Sequence, residues 1–277
     1  MKDNNRCSKK VGIIIPTYNG SKYIVETINS CLEQSYKNIE IVVVDDCSTD
    51  DTYNLCQSHF VDKIRLIKNE VNSGLPTSIN RGVNSIESDY FIYLGHDDLL
   101  PEEHVDSMLT EASGSESLIH CNSIEINEIG ETFGLIRDDH LQVEYTKDID
   151  FQISIYNFIS VVGMLHKTSC FKDIGGWDER YNLYGEWLYY IKMKSVLPIK
   201  YTNKSRAFYR VHSTNISHSL RTVERLNSYY AYKEHCRNFA RESTSFNLVE
   251  SFRYQIHSIK EKLSFIKRKI LIVINKG

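Results

Sequence analysis

The sequence predicts an α/β fold in which helices flank a mainly parallel central sheet. Two observations support this prediction: short apolar runs alternate with helical segments between residues 11 and 98, and polar or turn-forming residues bound each run. Strands that alternate with helices at this spacing form right-handed βαβ units, whose strands run parallel. From about residue 222 the pattern becomes helical and charged. We therefore expect a domain at residues 1–218 and a helical C-terminal extension at residues 219–277.

The first half of the chain contains four predicted strands and three predicted helices. The strands cover 11–15, 39–44, 64–68 and 90–94; the helices cover 21–34, a segment that ends near 60, and 76–85. Ser21 is the predicted cap of the first helix. Later predicted elements are a helix at 102–112, strands at 118–126 and 131–137, a mobile polar loop at 138–150, an apolar segment at 161–166, and helices at 168–174, 186–192, 222–240 and 246–275.

Composition and charge narrow the class of protein. The 277 residues are 41% apolar and 25% charged, and no stretch approaches the roughly 20 apolar residues of a membrane span. The N-terminus lacks the apolar segment of a secretory signal, and seven cysteines without a C-x-x-C spacing fit free thiols, so we expect a cytoplasmic protein. The net charge is −3, but residues 250–277 carry seven Lys or Arg against two Glu, which leaves an acidic body. An acidic body argues against a nucleic-acid partner.

Three of the four predicted strands end in polar loops. The loops cover 16–19, 45–51 and 96–98, and in a parallel sheet they converge on one edge, where such folds bind ligands. They contain neither G-x-G-x-x-G nor G-x-x-x-x-G-K-[ST], which leaves a nucleotide held by carboxylates through its base, its ribose and a metal.

The adjacent acids Asp97 and Asp98 repel each other, and a divalent ion that itself holds a diphosphate would relieve that repulsion. The alternative is that Asp98 caps a helix that begins near Pro101.

Four linked motifs carry a resemblance to a known family. They are Ile-Ile-Pro-Thr-Tyr-Asn at 14–19, Ile-Val-Val-Val-Asp-Asp-x-Ser-x-Asp at 41–50, Asn-x-Gly at 80–82, and Asp-Asp at 97–98. In order and spacing the chain resembles the family 2 glycosyltransferases of the GT-A fold. The resemblance implies a nucleotide-sugar donor, usually a UDP-sugar, a divalent metal (Mn²⁺ or Mg²⁺), and transfer with inversion at the anomeric carbon.

The resemblance also implies roles for the residues of these motifs. Thr17 and Asp46 would contact the base with Asp45 as a helper, Asp97 would bind the ribose or sugar, and Asp98 would hold the metal. The other residues assigned to the nucleotide-sugar site are Pro16, Tyr18, Asn19 and Asn80. The chain departs from the family pattern at Gly95-His96, which replace the first members of an Asp-x-Asp-Asp motif, and at Ile79, where the family commonly has Arg. His96 is then a spacer or a sugar contact, because Mg²⁺ and Mn²⁺ prefer oxygen.

Two later segments extend the resemblance. Gly-Gly-Trp-Asp-Glu at 175–179 leads to Gly185 and Glu186, where the family has an acidic pair whose second member is the catalytic base. Glu186 would thus deprotonate the acceptor hydroxyl; the alternative is a first-turn Glu that only favours the helix dipole. In Tyr-Arg-Val-His at 209–212, His212 would reach the metal or diphosphate and Arg210 the leaving phosphate, the alternative for His212 being an exposed or capping role.

The C-terminal segment 260–277 combines three consecutive cations with a five-residue apolar run. This composition suits a helix on an anionic membrane surface, and a partner-binding or core-packed helix is the alternative. The sequence therefore predicts an inverting enzyme, peripheral on the cytoplasmic face of the membrane. It would move a hexose or N-acetylhexosamine from a UDP-sugar to a hydroxyl of a glycan or lipid-linked glycan in cell-surface polysaccharide or lipopolysaccharide biosynthesis. The alternatives are a non-catalytic nucleotide-sugar-binding or scaffold relative, and a nucleotidyltransferase, whose Gly-rich loop with Arg and Lys is missing after the first strand.

Overall fold

The computed structural model describes residues 9–113, 116–136, 148–181, 183–215 and 222–274. Its strands are β1 (Val11–Thr17), β2 (Ile39–Asp45), β3 (Arg65–Lys68), β4 (Tyr90–Tyr93), β5 (Leu118–Ile126), β6 (Thr132–Leu135), β7 (Leu165–Lys167) and β8 (Ile199–Arg210). Its helices are α1 (Ile24–Leu32), α2 (Thr52–His59), α3 (Leu75–Asn84), α4 (His104–Ala112), α5 (Ile149–Ile155), α6 (Thr168–Asp173), α7 (Glu186–Met193), α8 (Val223–Ser243) and α9 (Leu248–Ile274).

One mixed sheet organises these elements. Its strand order is β3-β2-β1-β4-β7-β5-β6, and β8 pairs with β5. The β1–β2, β1–β4, β2–β3 and β5–β8 pairs are parallel, whereas β7 is antiparallel to β4 and β5, and β6 is antiparallel to β5. The predicted α/β class with a mainly parallel central sheet flanked by helices is confirmed.

The first four strands position the polar loops. Every residue of β1 and of β4 is buried, as expected of strands that helices cover on both faces. Because β2 and β4 lie on either side of β1 and run parallel to it, the carboxyl ends of these three strands lie side by side. The predicted cap at Ser21 was wrong, because α1 begins at Ile24 without a side-chain cap. Helix α4 begins at His104, which rules out the alternative in which Asp98 caps it.

The second half contains two elements that the sequence did not predict. The 12-residue strand β8 alternates charged and apolar residues too irregularly to show a strand period, and its pairing with β5 stabilises it. Helix α5 begins at Ile149, inside the predicted 138–150 loop, whose residues 138–147 lie outside the described residues.

The two C-terminal helices differ in their contacts. Tyr232, Cys236 and Ala240 of α8 are buried in the same apolar cluster as the face of the sheet that α3 covers. Helix α9 buries only Tyr254 and leaves most of its apolar side chains exposed. Across the described ranges, no helix combines the length and apolar character needed to cross a membrane.

Candidate active site

Two buried polar atoms lie at the ends of β1 and β2. Thr17 is opposite Asp45 in the parallel register, and both side chains are buried. Thr17 Oγ1 and Asp45 Oδ1 have no hydrogen-bond partner, while Asp45 Oδ2 accepts the Ser48 N–H at 3.2 Å. A buried polar atom without a partner is costly, so these two neighbours are suited to bind a polar ligand.

Asp46 has a different set of contacts from the base contact that the resemblance implies. Its Oδ1 accepts hydrogen bonds from Asn69 Nδ2 at 2.7 Å and from the Ser73 N–H at 2.8 Å, and its Oδ2 accepts the Gly74 N–H at 2.8 Å. The carboxylate thus holds the 69–74 loop against the end of β2. Asp45, the expected helper, keeps the unpaired oxygen.

The loop after β1 is tied to the loop after β2. Asn19 lies in the left-handed region with φ of 52°, and its Oδ1 accepts the Thr49 N–H at 2.8 Å. Asp50 accepts the N–H groups of Ser21 and Thr52. Pro16 lies within β1 opposite Val44, and Tyr18 is 43% exposed at the mouth of this region. The ties make the two loops one rigid surface.

The third loop presents two carboxylates next to Gly95. A Cβ on Gly95 would lie 2.8 Å from Asp97 Oδ1 and 2.7 Å from Asp98 Oδ2. Both oxygens therefore lie close to the same glycine. The other oxygens are used: Asp97 Oδ2 accepts from His212 Nε2 at 2.7 Å and Asn215 Nδ2 at 3.2 Å, and Asp98 Oδ1 accepts the Arg210 N–H at 3.0 Å.

The pKa values of Asp97 and Asp98 are shifted in opposite directions. Burial opposes ionisation of Asp97, but the hydrogen bond from His212 and the nearby His96 and His212 outweigh it and lower the pKa of Asp97. Burial, followed by the charge of Asp97, raises the pKa of Asp98 well above its ordinary value. A cation bound between them would favour the ionised form of both.

Arg210 contacts protein groups with its whole guanidinium. It is 1% exposed, and its Nε donates to the Asp97 carbonyl at 2.8 Å. Its Nη1 donates to the carbonyls of Asn127 and Glu128, and its Nη2 donates to Glu26 Oε2 at 2.7 Å. The resemblance implies a contact with the leaving phosphate, but in this structure Arg210 ties β8 and α1 to the loop that carries the two acids.

The donor set of this loop fits a divalent ion. The described residues contain no group of three or more His, Cys, Asp and Glu placed to hold a metal. Asp97 Oδ1 and Asp98 Oδ2, which both lie close to Gly95, nevertheless form a pair of hard ligands, and a diphosphate would supply the further oxygens that Mg²⁺ or Mn²⁺ needs. His212 uses Nε2 on Asp97 and Nδ1 on Thr214, so it orients Asp97 and its nitrogens are occupied.

Asn80 fastens the 175–179 loop to α3. Its Nδ2 donates to the Trp177 carbonyl at 2.8 Å and to Glu179 Oε1 at 2.9 Å, and its Oδ1 accepts the Trp177 N–H at 2.9 Å. This fully used amide holds Trp177, whose ring lies 5.7 Å from the ring of Tyr93 at the end of β4. Asn80 thus acts on the site through Trp177.

Glu186 is the first residue of α7 and is partly buried. Its Oε2 accepts the Gly185 N–H at 3.0 Å and its Oε1 accepts from Asn157 Nδ2 at 3.3 Å. Burial raises the pKa of Glu186, and those two hydrogen bonds oppose the rise. A carboxylate with a raised pKa is a stronger base than an ordinary glutamate.

Tyr93 links the two halves of the candidate site. Burial raises the pKa of Tyr93 well above its ordinary value, and the next causes are the negative charges of Asp98, Asp97 and Glu186. The three carboxylates therefore all favour the protonated form of the Tyr93 phenol. Tyr93 and Asn215 were not among the predicted site residues; the position of Tyr93 as the last residue of β4 was the available signal.

Comparison with known proteins identifies the family of this chain. The model of glycosyl transferase family 2 matches residues 12–166. An uncharacterized glycosyltransferase of Rickettsia typhi is 33% identical over 198 residues, which are 69% of this chain and 62% of that protein. Glycosyltransferase GlyA of Streptococcus pneumoniae is 28% identical over 224 residues, 75% of this chain and 31% of its own length. The chain thus spans less than two thirds of the length of these relatives.

Solved structures share the fold. The S. aureus TarS fragment 1–349 in complex with UDP-GlcNAc has a TM-score of 0.62 at 20% identity, over 95% of this chain and 79% of TarS 1–349. The mannosyltransferase PcManGT from Pyrobaculum calidifontis in complex with GDP-Man and Mn²⁺ has a TM-score of 0.64 at 14% identity, over 96% of this chain and 73% of PcManGT. The expected GT-A architecture is confirmed, and the family match over more than half of the chain identifies it as a member of glycosyl transferase family 2, a family of transferase enzymes.

Proposed function

We propose that the chain is an inverting glycosyltransferase that moves a hexose or N-acetylhexosamine from a UDP-sugar to a hydroxyl of a glycan acceptor in cell-surface polysaccharide or lipopolysaccharide synthesis. The main support is one arrangement: unpaired polar atoms at the ends of β1 and β2, and a pair of carboxylate oxygens after β4. Glu186 begins α7 next to Gly185, which packs against Trp177, and the Trp177 ring lies 5.7 Å from the ring of Tyr93 at the end of β4. The family match supports sugar transfer. Nucleotide-sugar binding by TarS, with UDP-GlcNAc, and by PcManGT, with GDP-Man, supports a nucleotide-sugar donor for this chain as well.

The donor half consists of two parts. Thr17 Oγ1 and Asp45 Oδ1 would bind the base, because a uracil imide N–H can donate to one carboxylate oxygen and a uracil carbonyl can accept from a hydroxyl. Asp97 and Asp98 would hold Mn²⁺ or Mg²⁺, which when bound neutralises the charge of the diphosphate. His212 and Arg210 would orient these acids.

The acceptor half contains the candidate base. The acceptor hydroxyl oxygen bonds to the anomeric carbon from the side opposite the phosphate, the carbon–oxygen bond to the diphosphate breaks, and the hydroxyl proton moves to Glu186. The nucleoside diphosphate leaves with the electron pair of the broken bond. The raised pKa of Glu186 favours this proton transfer near neutral pH.

A donor screen tests the proposal. Thermal unfolding is recorded with UDP-glucose, UDP-GlcNAc and GDP-mannose, with and without Mn²⁺, and UDP or GDP release is then measured. We expect stabilisation by a UDP-sugar that depends on metal, followed by UDP release that Glu186→Gln reduces by about 100-fold or more. Donor binding without release, and no effect of Glu186→Ala, would instead indicate a non-catalytic relative.

A second proposal concerns a membrane surface. Helix α9 exposes most of its apolar side chains: Leu248, Val249, Phe252, Ile256, Ile259, Leu263, Ile266, Ile270, Leu271, Val273 and Ile274. Lys267, Arg268 and Lys269 are exposed beside the last of them. An apolar face with adjacent cations suits the surface of an anionic bilayer, which would bring the site to a lipid-linked acceptor.

Vesicle sedimentation tests the membrane proposal. The chain should bind vesicles that contain phosphatidylglycerol, and high salt should weaken binding. Replacing Lys267, Arg268 and Lys269 by Gln should cost about 3 kcal/mol, roughly 100-fold in affinity. Lys200→Gln, on β8, is the control and should bind normally. Wild-type binding to neutral vesicles as tight as to anionic ones, or undiminished binding of the triple variant to anionic vesicles, would contradict the proposal.

A further inference from the structure

The phenol of Tyr232 contacts the backbone of the helix that carries Glu186. Tyr232 lies on α8 and is 1% exposed. Its Oη accepts the Trp187 N–H at 3.0 Å and the Leu188 N–H at 3.2 Å. The first N–H groups of a helix have no partner within the helix, and the N-cap residue here, Gly185, has no side chain to offer. A residue from another helix therefore satisfies the start of α7.

The Trp177 side chain packs against the same turn of α7. A Cβ on Gly185 would lie 2.8 Å from Trp177 Cβ and 3.0 Å from Trp177 Cε3, so the Trp177 side chain occupies the space that an acidic residue would need there. Glu186 itself accepts the Gly185 N–H. The backbone of 185–188 thus contacts both Trp177 and Tyr232.

The Tyr232 ring is itself fixed. The rings of Tyr184 and Tyr232 are stacked with centroids 5.6 Å apart, and the Tyr181 ring lies 4.8 Å away from that of Tyr232. These ring contacts restrict the side-chain conformation of Tyr232 and so fix the position of its hydroxyl. The hydroxyl is therefore a rigid acceptor for two amide groups that directly follow Glu186.

We propose that Tyr232 is a positioning residue, which fixes the start of α7 so that the Glu186 carboxylate meets the acceptor hydroxyl. This inference rests on the proposed role of Glu186 as the base. This role would give helix α8 a function in catalysis: α8 would complete the acceptor side of the site as well as cover the core. A displacement of about 1 Å at a catalytic group can cost about 100-fold in rate, which makes such a support effective.

Tyr232→Phe tests the proposal, with Tyr230→Phe as the matched control. Tyr230 lies on the same helix, and its ring stacks on Phe265 of α9 with centroids 4.2 Å apart. In the full chain, carboxyl ¹³C NMR follows the titration of Glu186, and amide exchange follows Trp187 and Leu188. Loss of the hydroxyl leaves the Trp187 and Leu188 N–H groups without their acceptor, so we expect faster exchange of both amides and an altered titration of Glu186 in Tyr232→Phe only. The kcat for UDP release should fall by about 10- to 100-fold, with the Kd for UDP and Mn²⁺ unchanged.

Each outcome separates the two proposals. If Glu186→Gln abolishes UDP release while Tyr232→Phe leaves kcat and the Glu186 titration as in the wild type, the positioning role is wrong and the base stands. If Glu186→Gln remains fully active, the base is wrong, and so is the role built on it. A thermal unfolding curve for Tyr232→Phe confirms that the variant is folded; a loss of kcat that Tyr230→Phe matches would also overturn the positioning role.

Discussion

Arg210→Met gives the sharpest test of how the acidic loop is held. The substitution keeps a long apolar side chain and removes four hydrogen bonds, made to the Asp97 carbonyl, the carbonyls of Asn127 and Glu128, and Glu26 Oε2. It also removes the guanidinium from the face of Tyr23, 4.8 Å from the ring centre.

The expected cost follows from what is left unpaired. The Glu26 side chain is 53% exposed and Glu128 is also exposed, so water can replace part of the loss there. The Asp97 carbonyl loses a charged donor from a buried side chain, and the cation–π contact disappears. Together these losses correspond to about 3 kcal/mol in the free energy of unfolding. For a chain of this size that is a fall in Tm of about 6–12 °C.

Urea unfolding and thermal scans measure the effect. Arg65→Met is the control, because the Arg65 side chain is 51% exposed and its contacts, with Glu40 at 3.6 Å and with the Ser85 carbonyl, are at the surface, where each is worth about 1 kcal/mol or less. Arg210→Met should also weaken nucleotide binding, because the backbone of the acidic loop loses the donor at the Asp97 carbonyl, although His212, Asn215 and the backbone N–H of residue 210 still bind the two carboxylates. A variant as stable as the wild type that has lost only nucleotide binding would refute this reasoning, and Arg210 would then contact the phosphate directly.

Three further outcomes are expected. With metal removed by a chelator, Asp98→Asn should be more stable than the wild type at pH 7: the folded-state pKa of Asp98 is raised, so its contribution to stability is full below pH ~4 and is lost as the pH rises, and the difference should vanish near pH 4 in urea titrations. Asp45→Asn should weaken UDP binding with little change in Tm, whereas Asp46→Asn should lower Tm because three hydrogen bonds hold the 69–74 loop; the reverse pattern would contradict the assignment. Glu186→Gln should lower kcat by about 100-fold or more and leave the Kd for UDP unchanged, and a normal kcat would exclude Glu186 as the base.

The sequence was sufficient for the parallel half of the fold. The three apolar runs that precede the polar loops became β1, β2 and β4, because buried parallel strands are continuous apolar runs that need little context. The strand β8 was not predictable in this way, since seven of its twelve residues are exposed or partly exposed and its pairing with β5 makes it regular.

The site was predictable in its residues and less so in their contacts. The acids at 45–46 and 97–98 lie where the strand ends place them, but sequence cannot say which oxygen is paired. Asp46 and Arg210 use all of their charged groups on the protein, whereas Asp45 leaves Oδ1 without a partner; that difference depends on the 69–74 loop and on α1. Tyr232 lies far from Glu186 along the chain, so only the packing of α8 on α7 brings them together.

One measurement tests the central claim most directly: calorimetric titration of UDP into the full chain, with and without Mn²⁺, for the wild type, Asp98→Asn and Asp45→Asn. If the edge of the sheet is the nucleotide-sugar site, the wild type binds UDP more tightly with Mn²⁺, Asp98→Asn loses the metal dependence, and Asp45→Asn weakens binding with or without metal. UDP binding that neither substitution changes would contradict the account, because the nucleotide would then lie elsewhere.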